Sequence, residues 1–289
     1  MTQRATGSGN GLAGRCVLIT GCSSGIGHHA AHALKARGWR VIATCRSEAD
    51  AARLTGEGLE SFALDLASTD SIAAGVDRTL EMTGGRLDAL FNNGAYAQPG
   101  AVEDLPTDAL RAIFEVNFFG WHEVTRRVLP VMRRQRSGRI VQNSSVLGFV
   151  ALRMRGAYNS TKFALEGYTD TLRLELEGTG IHVALLEPGP VRTRIRQNAR
   201  KHYERWIDRE GSPWAAFYRE TLEPRLYAGD DAARDPGELT CEATTKAVIH
   251  ALEAKNPRLH YPVTTPTWAM AAAKRLFPPR IVGRIARRI

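Results

Sequence analysis

Tyr158 and Lys162 have the residue types and the spacing that proton transfer requires. They lie four residues apart in a segment, residues 158–165, that continues as an amphipathic helix, so both side chains fall on one helical face. An ammonium about 4 Å from a phenol stabilises the phenolate by about 4 kcal/mol at an effective dielectric of about 20. That would lower the tyrosine pKa from about 10 to about 7, where the phenol can exchange a proton with a substrate. Taken alone, the spacing also fits a packed aromatic beside a solvated base.

Ser145 is the second residue of this kind. It lies thirteen residues before Tyr158, just past an apolar run at 139–143 that reads as a strand. Because the carboxyl ends of parallel strands border the ligand crevice, we expect its hydroxyl to face a bound ligand. From there it can donate a hydrogen bond to a substrate carbonyl. The alternative is a turn or helix cap, a role that suits Ser144 better.

A glycine-rich turn at residues 20–27, Thr-Gly-Cys-Ser-Ser-Gly-Ile-Gly, connects a predicted strand to a predicted helix. Gly21 suits the tight turn, Gly25 allows the backbone to approach a pyrophosphate, and Gly27 permits close helix-to-strand packing. The helix amino terminus then faces the anion. This context predicts a dinucleotide cofactor rather than a glycine-rich turn without a ligand.

Arg46 follows the second predicted strand, and no acid is nearer than Glu48. In dinucleotide-binding folds an acid at this point holds the ribose diol, whereas a basic residue accommodates a 2′-phosphate. A guanidinium can contact phosphate in bidentate fashion, and the Ser23 hydroxyl can add a further donor. We therefore predict NADP(H) as the preferred cofactor, with NAD(H) as the alternative if Arg46 is only a solvated loop residue.

The elements that must position these residues alternate between short apolar runs and longer amphipathic segments. Seven strands are predicted, at 16–20, 40–45, 61–64, 88–91, 139–143, 182–186 and 259–263. A helical period between them, as at 29–37 before Gly38, predicts a doubly wound α/β fold with a mostly parallel sheet covered on both faces. We expect an amino-terminal arm at 1–13, one catalytic domain at 14–263 and a basic tail at 264–289.

Composition excludes several classes of protein. The 289 residues are 43% hydrophobic and 24% charged, which is typical of a globular chain and not of a disordered one. The arm lacks the apolar stretch of a secretory signal, so we expect a cytoplasmic protein. Four cysteines without CxxC spacing, and histidines interpreted as not clustered, predict neither a disulfide framework nor a zinc site, and no metal site is expected.

The formal charge of +9 lies largely in the tail. Six of the 39 basic residues follow residue 273, the last acid is Glu253, and the rest of the chain has a charge of only +3. We therefore expect no nucleic-acid partner. In the tail, residues 281, 282, 285 and 289 fall on one apolar helical face among arginines. This pattern fits contact with an anionic membrane, or equally docking on the domain or on a second subunit.

Together these segments resemble the short-chain dehydrogenase/reductase family over nearly the whole chain. The matching segments are residues 20–27, Asn92-Asn93-Gly94-Ala95, Asn117 within residues 116–120, Ser145, Tyr158 with Lys162, and Pro188-Gly189. The family commonly has Asn-Asn-Ala-Gly where this chain has Asn-Asn-Gly-Ala, so the backbone shape beside the nicotinamide ribose is in question. The turn sequence with Arg46 is similar to that of NADP-dependent steroid and retinol dehydrogenases.

The resemblance implies a catalytic tetrad of Asn117, Ser145, Tyr158 and Lys162, with Asn117 anchoring a water that links Lys162 to solvent. It also implies that Asp65 contacts adenine, that Asn92 lies along the cofactor, and that the backbone after Pro188, with Thr193, holds the carboxamide. The predicted cofactor-binding set is Gly21, Ser23, Ser24, Gly25, Ile26, Gly27, Arg46, Asp65, Asn92, Gly94, Tyr158, Lys162, Pro188, Gly189, Val191 and Thr193. A homodimer or homotetramer is the implied assembly.

The expected activity is hydride transfer between NADP(H) and a lipophilic ketone, aldehyde or secondary alcohol. Apolar pocket walls are predicted at Tyr96, Leu147, Phe149, Val150 and Met154. A segment at 192–240 carries the aromatic residues Tyr203, Trp206, Trp214, Phe217, Tyr218 and Tyr227. This segment is either a lid over a bulky substrate or a satellite core. A non-catalytic NADP-binding sensor or scaffold is the alternative function.

Overall fold

Seven parallel strands form one sheet in the order β3-β2-β1-β4-β5-β6-β7. The structure is a computed structural model, and it describes residues 14–229 and 235–286. The strands are β1 Cys16–Ile19, β2 Arg40–Cys45, β3 Glu60–Ala63, β4 Ala89–Asn92, β5 Gly138–Asn143, β6 Ile181–Glu187 and β7 His260–Pro262. The predicted doubly wound, single-domain α/β fold is confirmed, and each predicted strand is present with its bounds shifted by one residue at most. The arm at 1–13, residues 230–234 of the predicted lid and residues 287–289 of the tail lie outside the described residues.

The strands at the centre of the sheet are apolar on both faces because helices cover both sides. β1 and β4 are buried along their whole length, which is the pattern of a parallel sheet between two helical layers. The direction of winding reverses between β1 and β4, the strand that flanks β1 on the side opposite to β2. Ligands of such sheets bind outside the carboxyl ends of the strands at this switch point.

Helices α1 Gly25–Ala36, α2 Glu48–Gly56 and α10 Cys241–Glu253 pack on one face of the sheet. Helices α3 Thr69–Met82, α5 Gly120–Gln135 and α6 Gly156–Glu175 pack on the other face. Helix α1 begins four residues before the predicted helix at 29–37 and ends at Ala36, and Gly38 adopts a φ of +91° just beyond it. The stop predicted from Gly38 is therefore present, in the left-handed conformation that glycine favours.

The remaining helices lie outside these two layers. They are α4 Thr107–Phe114, α7 Ile195–Trp206, α8 Ala215–Phe217, α9 Glu223–Leu226, α11 Thr265–Leu276 and α12 Pro279–Ala286. A π-helical turn, Glu115–Phe119, joins α4 to α5, and a second one, Tyr218–Leu222, joins α8 to α9. Within the described residues, the helices are too short or too polar to cross a bilayer.

The aromatic segment between β6 and α10 packs as a satellite core. Tyr203 and Tyr218 are 1% and 0% exposed and join Met154, Ile207 and Leu222 in a separate cluster. The Tyr218 hydroxyl accepts a hydrogen bond from the Ala101 backbone nitrogen at 2.9 Å. Of the two alternatives for this segment, packing favours the satellite core, and a lid movement stays a prediction.

The tail begins with a helix that docks on its own domain. Helix α11 buries Thr267, Met270 and Ala273, while Trp268 and Leu276 on the same helix are 53% and 75% exposed. Docking on the domain, one of the predicted alternatives, is therefore shown for α11. Three of the four cysteines are buried and Cys241 is half-buried, and all four are free thiols.

Two helical glycines differ in the space around them, and this gives a matched pair of variants. A Cβ on Gly120 would lie 2.2 Å from the Leu66 carbonyl oxygen, whereas a Cβ on Gly167 would meet no atom within 4 Å. We expect Gly120→Ala to destabilise the fold by about 1–3 kcal/mol through overpacking. Gly167→Ala should stabilise it by about 0.5–1 kcal/mol, because it reduces the entropy of the unfolded chain. Urea denaturation of both variants tests the close approach of α5 to the segment after β3, and similar effects of the two changes would contradict it.

Candidate active site

Helix α6 presents Tyr158 and Lys162 to the carboxyl end of the sheet, both nearly inaccessible to solvent. Tyr158 is 8% exposed and Lys162 is 1% exposed. The Lys162 Nζ donates a hydrogen bond of 2.6 Å to the backbone oxygen of Asn143, the last residue of β5. Its ammonium lies 4.3 Å from the ring centroid of Trp121 and 5.6 Å from that of Tyr158. The two groups therefore share one buried space at the end of β5.

Burial controls the protonation of this pair. Desolvation raises the pKa of Tyr158 to about 12, and a hydrogen bond with Ser145 acts in the opposite direction. Desolvation also lowers the pKa of Lys162 to about 7, which the Glu166 carboxylate opposes. The expected lowering of the Tyr158 pKa by Lys162 is wrong for this structure, because burial is the larger influence on this phenol and the Ser145 hydroxyl is the group that opposes it. Tyr158 therefore carries its proton at neutral pH, as a proton donor must.

Ser145 has the capping role that was expected to suit Ser144 better, and its contact with a substrate carbonyl stays a prediction. It precedes the 3-10 turn Val146–Gly148, and its Oγ accepts a hydrogen bond of 3.1 Å from the Leu147 backbone nitrogen. The same hydroxyl donates to the Pro188 carbonyl oxygen at 3.4 Å and bonds the Tyr158 side chain. The cap thus fixes Ser145 beside the phenol. Ser144 turns away and donates a hydrogen bond to the Glu166 carboxylate.

Asn117 lies in the π-helical turn Glu115–Phe119 and is completely buried. Its Oδ1 accepts from the Tyr96 backbone nitrogen at 3.1 Å, and its Nδ2 donates to the Tyr96 oxygen at 2.9 Å. The Nδ2 also lies 3.5 Å from the Thr161 Oγ1, next to Lys162 in the chain. Asn117 therefore joins the segment after β4 to α6, and π-helical turns of this kind are frequent at functional sites.

The glycine turn has the shape that a dinucleotide phosphate requires. Gly21 and Gly25 have φ values of +70° and +64°. A Cβ on Gly21 would lie 2.4 Å from the Gly94 Cα, and a Cβ on Gly27 would lie 2.6 Å from the Gly21 oxygen. Side chains at these positions would push α1 away from β1, so the helix amino terminus could not face the turn. The residues present fit a nicotinamide dinucleotide.

Polar side chains connect this turn to the catalytic helix across three strand ends. The Thr20 Oγ1 accepts hydrogen bonds from the backbone nitrogens of Asn93 and Gly94 at 2.9 and 3.0 Å. The Asn93 Nδ2 donates to the Thr20 oxygen at 2.9 Å, and the Asn93 Oδ1 accepts from the Asn143 Nδ2 at 2.9 Å. Asn143 in turn holds Lys162 through its backbone oxygen. We call this chain, Thr20–Asn93–Asn143–Lys162, the polar seam.

The Asn92 side chain makes contacts inside the sheet. It is fully buried, and its Nδ2 donates to the Thr125 Oγ1 and the Gln142 Oε1, both at 3.0 Å. The side chain therefore holds β4 to β5 and α5, and the contact of Asn92 with a cofactor stays a prediction. Asn93, which was not predicted, faces the glycine turn instead. The only signal for it was its place directly after β4.

The order Gly94-Ala95 has a steric reason. A Cβ on Gly94 would lie 2.8 Å from the Leu66 Cδ1 and 3.2 Å from the Gly21 backbone nitrogen. The Gly94 oxygen also accepts a hydrogen bond of 2.7 Å from the Trp121 Nε1. The backbone at this point is thus drawn against the glycine turn, and the chain has its glycine where the approach is closest.

The other predicted cofactor residues border the same end of the sheet. Asp65 follows β3, and its Oδ1 accepts from the Ala67 backbone nitrogen at 3.0 Å. Arg46 is exposed directly after β2. Gly189 packs closely on the start of α11, where a Cβ on it would lie 2.1 Å from the Thr264 Oγ1. The Thr193 side chain lies against the glycine turn, since a Cβ on Gly25 would be 3.2 Å from the Thr193 Cβ. The remaining members of the set are Ser23, Ser24 and Ile26 in or after the glycine turn and Pro188 and Val191 after β6.

The predicted pocket walls divide between two sites. Tyr96 and Leu147 pack against the buried cluster that contains Tyr158, Ala157 and Ile113. Met154, by contrast, belongs to the satellite core, and Phe149 lies 6.0 Å from the Lys274 ammonium of α11. The apolar surroundings of Tyr158 are therefore real, but only Tyr96 and Leu147 of the predicted walls contribute to them.

Glu166 is a further residue of the site that the sequence interpretation missed. It lies one helical turn beyond Lys162, so Tyr158, Lys162 and Glu166 share one face of α6. Burial and the nearby Glu187 carboxylate raise the pKa of Glu166 to about 7. Glu187 accepts a hydrogen bond of 2.8 Å from His260, which raises the pKa of His260. The continued four-residue spacing from Tyr158 to Glu166 was the signal available in the sequence.

The fold and these contacts define an oxidoreductase-type dinucleotide site with a Tyr–Lys–Ser group at its centre. The sequence profile of the family described as short chain dehydrogenase matches residues 15–204, and the chain belongs to this family. The uncharacterized oxidoreductase YbbO of Escherichia coli K12 is 38% identical over 287 residues, which cover 99% of each protein. Retinol dehydrogenase 7 of Mus musculus is 34% identical over 256 residues, or 86% of this chain and 80% of its own length. The predicted similarity to retinol dehydrogenases is confirmed.

A solved structure of a short-chain dehydrogenase/reductase from Burkholderia phymatum in complex with NAD is also similar. Its TM-score is 0.76 and its sequence identity 25%, and the match covers 96% of each chain. The chain thus resembles a nicotinamide-binding enzyme of the same family over nearly its whole length.

The position of Glu166 predicts a specific change in pH dependence. Above about pH 7 the Glu166 carboxylate is ionised and favours the ammonium form of Lys162. Glu166→Gln removes that charge, so Lys162 should lose its proton at a lower pH. We expect the fall of kcat/KM with rising pH to begin at a lower pH in the variant. Below about pH 7 Glu166 is protonated, and the two profiles should converge.

A pH–rate series from about pH 5.5 to about pH 9 measures this difference. The matched control is Glu175→Gln, which removes an exposed carboxylate from the end of the same helix and should leave the profile unchanged. A profile of Glu166→Gln that is unshifted, or shifted to higher pH, would show that Glu166 does not support the charge of Lys162.

Proposed function

We propose that the protein transfers a hydride between NADP(H) and a lipophilic ketone, aldehyde or secondary alcohol, with reduction as the working direction. The observation that carries the proposal is the convergence of Tyr158, Lys162 and Ser145 at the end of β5. Beside them lies a turn whose positive φ values and close backbone contacts require glycine. When bound, the reduced nicotinamide supplies the hydride.

The chain's own residues supply the proton and the orientation. The Tyr158 hydroxyl holds a proton at neutral pH because burial raises its pKa to about 12, and it donates that proton to the substrate oxygen. The Ser145 hydroxyl, bonded to Tyr158, holds the carbonyl oxygen in place. The Lys162 ammonium favours the phenolate that remains after proton transfer, since buried opposite charges attract strongly. Alcohol oxidation uses the same groups in reverse.

The basic residues near the end of β2 support NADP(H) over NAD(H). Arg46 is exposed there. On α7, burial lowers the pKa of His202 to about 4, and the nearby charges of Arg46, Arg205 and Lys201 act in the same direction. A cluster of cations at this point can form charge-assisted hydrogen bonds with a 2′-phosphate, whereas a ribose diol is bound by an acidic residue. NAD(H) is the alternative, since the similar Burkholderia phymatum structure contains NAD.

The packing around Tyr158 supports a lipophilic substrate. The phenol is surrounded by Ala157, Ile113, Leu147 and Tyr96, and a polar substrate would lose hydration there without gaining hydrogen bonds. The similarity to a retinol dehydrogenase points to the same class of substrate. A non-catalytic sensor or scaffold is the second candidate, and the complete Tyr–Lys–Ser group disfavours it.

The direct test of the activity is oxidation of NADPH by the purified protein with a panel of aliphatic, aromatic and steroidal ketones and aldehydes. Turnover of at least one lipophilic carbonyl compound is the expected result. Cofactor binding without turnover across the whole panel, in both directions, would favour the sensor.

Replacing the proton donor should separate catalysis from binding. We expect Tyr158→Phe to lower kcat by about 10²–10⁴-fold, because the phenyl ring keeps the packing but cannot donate a proton. The matched control is Tyr168→Phe on the same helix, whose hydroxyl instead lies 3.1 Å from the His122 Nδ1. Steady-state NADPH oxidation with a substrate from the panel measures both. Equal activity of Tyr158→Phe and wild type would exclude this phenol as the proton donor.

Reversing one charge should change the preference between cofactors. We expect Arg46→Glu to weaken NADPH relative to NADH by about 10–100-fold in kcat/KM, because a carboxylate repels the 2′-phosphate and can accept hydrogen bonds from the ribose diol. The control is Arg134→Glu, an equal charge change on the exposed side of α5. If the ratio stays constant in Arg46→Glu, the assignment of Arg46 to the phosphate is wrong.

We further propose that the enzyme is cytoplasmic and forms a homodimer or homotetramer. Exposed apolar side chains support self-association, among them Phe119 in the π-helical turn and Phe163 and Leu174 on α6, which are 42–75% exposed. In helix α12, Ile281 is 40% exposed and is accompanied by Arg280 and Arg284. This combination supports peripheral contact with an anionic membrane. A comparison of liposome binding by the full chain and by a chain ending at Thr265 tests the membrane contact.

A further inference from the structure

Two histidines and a carboxylate meet on the outer side of the helical layer that covers β1 and β2. His28 and His32 lie four residues apart on one face of α1, and Glu57 directly follows α2. The Glu57 Oε2 is 2.6 Å from the His28 Nε2 and 2.8 Å from the His32 Nε2. All three ligand atoms lie within 4.8 Å of one another. The three side chains are 29–38% exposed, so an ion from solution can reach them.

This donor set has the composition of a transition-metal site. Two imidazole nitrogens and one carboxylate oxygen are the ligands that Zn²⁺ and its neighbours in the first row prefer. Three protein ligands leave a fourth tetrahedral position for water. We propose that His28, His32 and Glu57 bind one divalent transition-metal ion of the Zn²⁺ type. The ion replaces the two histidine–carboxylate hydrogen bonds and links α1 to the end of α2.

The carboxylate is already fixed and charged for this role. The Arg53 Nη1 donates a hydrogen bond of 2.5 Å to the Glu57 Oε1, which leaves the Oε2 directed at the two imidazoles. The other cation at this surface, Lys35, is bound to the Gly58 backbone oxygen and not to Glu57. The Arg53 guanidinium favours the ionised carboxylate, and binding of the ion releases the imidazole protons to solvent.

The location of the site indicates what an ion would stabilise. The Arg53 Nη2 donates to the Ser23 backbone oxygen in the glycine turn at 2.6 Å. An ion on Glu57 thus reinforces a contact that runs through Arg53 to the turn between β1 and α1. The expectation of no metal site rested on the cysteine spacing and on an absence of clustered histidines, and the second premise is wrong because His28 and His32 lie one turn apart on α1. The sequence signal was the spacing of His28 and His32.

The chain offers a matched control on the same helix. His29 is exposed and points to the other side of α1, where its Nδ1 lies 2.8 Å from the Thr245 Oγ1. His29→Gln therefore removes an accessible imidazole from the same helix without touching the proposed ligands. His28→Gln, His32→Gln and Glu57→Gln each remove one ligand.

Zn²⁺ binding by isothermal titration calorimetry, with metal-free protein that carries no polyhistidine tag, tests the proposal. We expect one Zn²⁺ per chain for the wild type and for His29→Gln, and at least about tenfold weaker binding for each of the three ligand variants. Binding should also weaken at least about tenfold between about pH 7.5 and about pH 5.5, because the imidazoles must be neutral to coordinate the ion.

Thermal unfolding provides a second measurement that does not depend on enzyme activity or on the proposed function. Zn²⁺ should raise the Tm of the wild type and of His29→Gln but not of His32→Gln, since an ion that binds only the folded chain stabilises it. The absence of Zn²⁺ binding by the wild type, or binding that survives in the ligand variants, would overturn the proposal. A loss of binding in His29→Gln equal to that in His32→Gln would do the same.

Discussion

The polar seam Thr20–Asn93–Asn143–Lys162 is the interaction on which the rest of the site depends. Parallel strands end at one edge of the sheet, but their loops leave in different directions and require specific contacts to stay together. The seam supplies such contacts, because Asn93 bonds Thr20 after β1 and Asn143 of β5 with its two amide atoms. Asn143 in turn accepts a hydrogen bond from Lys162 of α6 with its backbone oxygen. The same bonds fix the glycine turn at one end and the Lys162 ammonium at the other. The two halves of the proposed active site are thereby held at one edge of the sheet.

Burying a lysine there has a cost that the surrounding residues offset. An ammonium removed from water loses several kcal/mol of hydration, and this is why the pKa of Lys162 falls to about 7. The Asn143 oxygen, the ring of Trp121 and the carboxylate of Glu166 each favour the charged form. Glu166 is in turn buried beside Glu187, and His260 balances that pair of acids. The charge of Lys162 is thus connected through α6 and β6 to a histidine on the edge strand β7.

The sequence was sufficient for the fold because its signals are local. Apolar runs between helical periods locate all seven strands within one residue, and the positive φ values of Gly21 and Gly25 follow from a turn that no other residue type fits. Asn93 was missed because its role comes from a contact between elements distant in sequence, 73 residues apart for Asn93 and Thr20. Glu166 was missed although its spacing from Lys162 is local, because its burial beside Glu187 depends on β6. The pKa of Tyr158 was predicted in the wrong direction for a related reason. Proximity to Lys162 can be read from spacing, whereas the depth of burial that outweighs it depends on α4, α5 and the segment after β4.

The segment after β6 connects the satellite core to the edge of the sheet that the polar seam holds. Helix α7 belongs to the satellite core through Tyr203, yet its His202 stacks on Tyr96 at 3.8 Å between ring centroids. Tyr96 is held through its backbone by Asn117, and Thr193 at the other end of the segment lies against Gly25. The segment after β6 therefore contacts the glycine turn through Thr193 and the wall beside Tyr158 through His202. Because those two surfaces are themselves held by the seam and by Asn117, this segment rests on the fixed part of the site at both places.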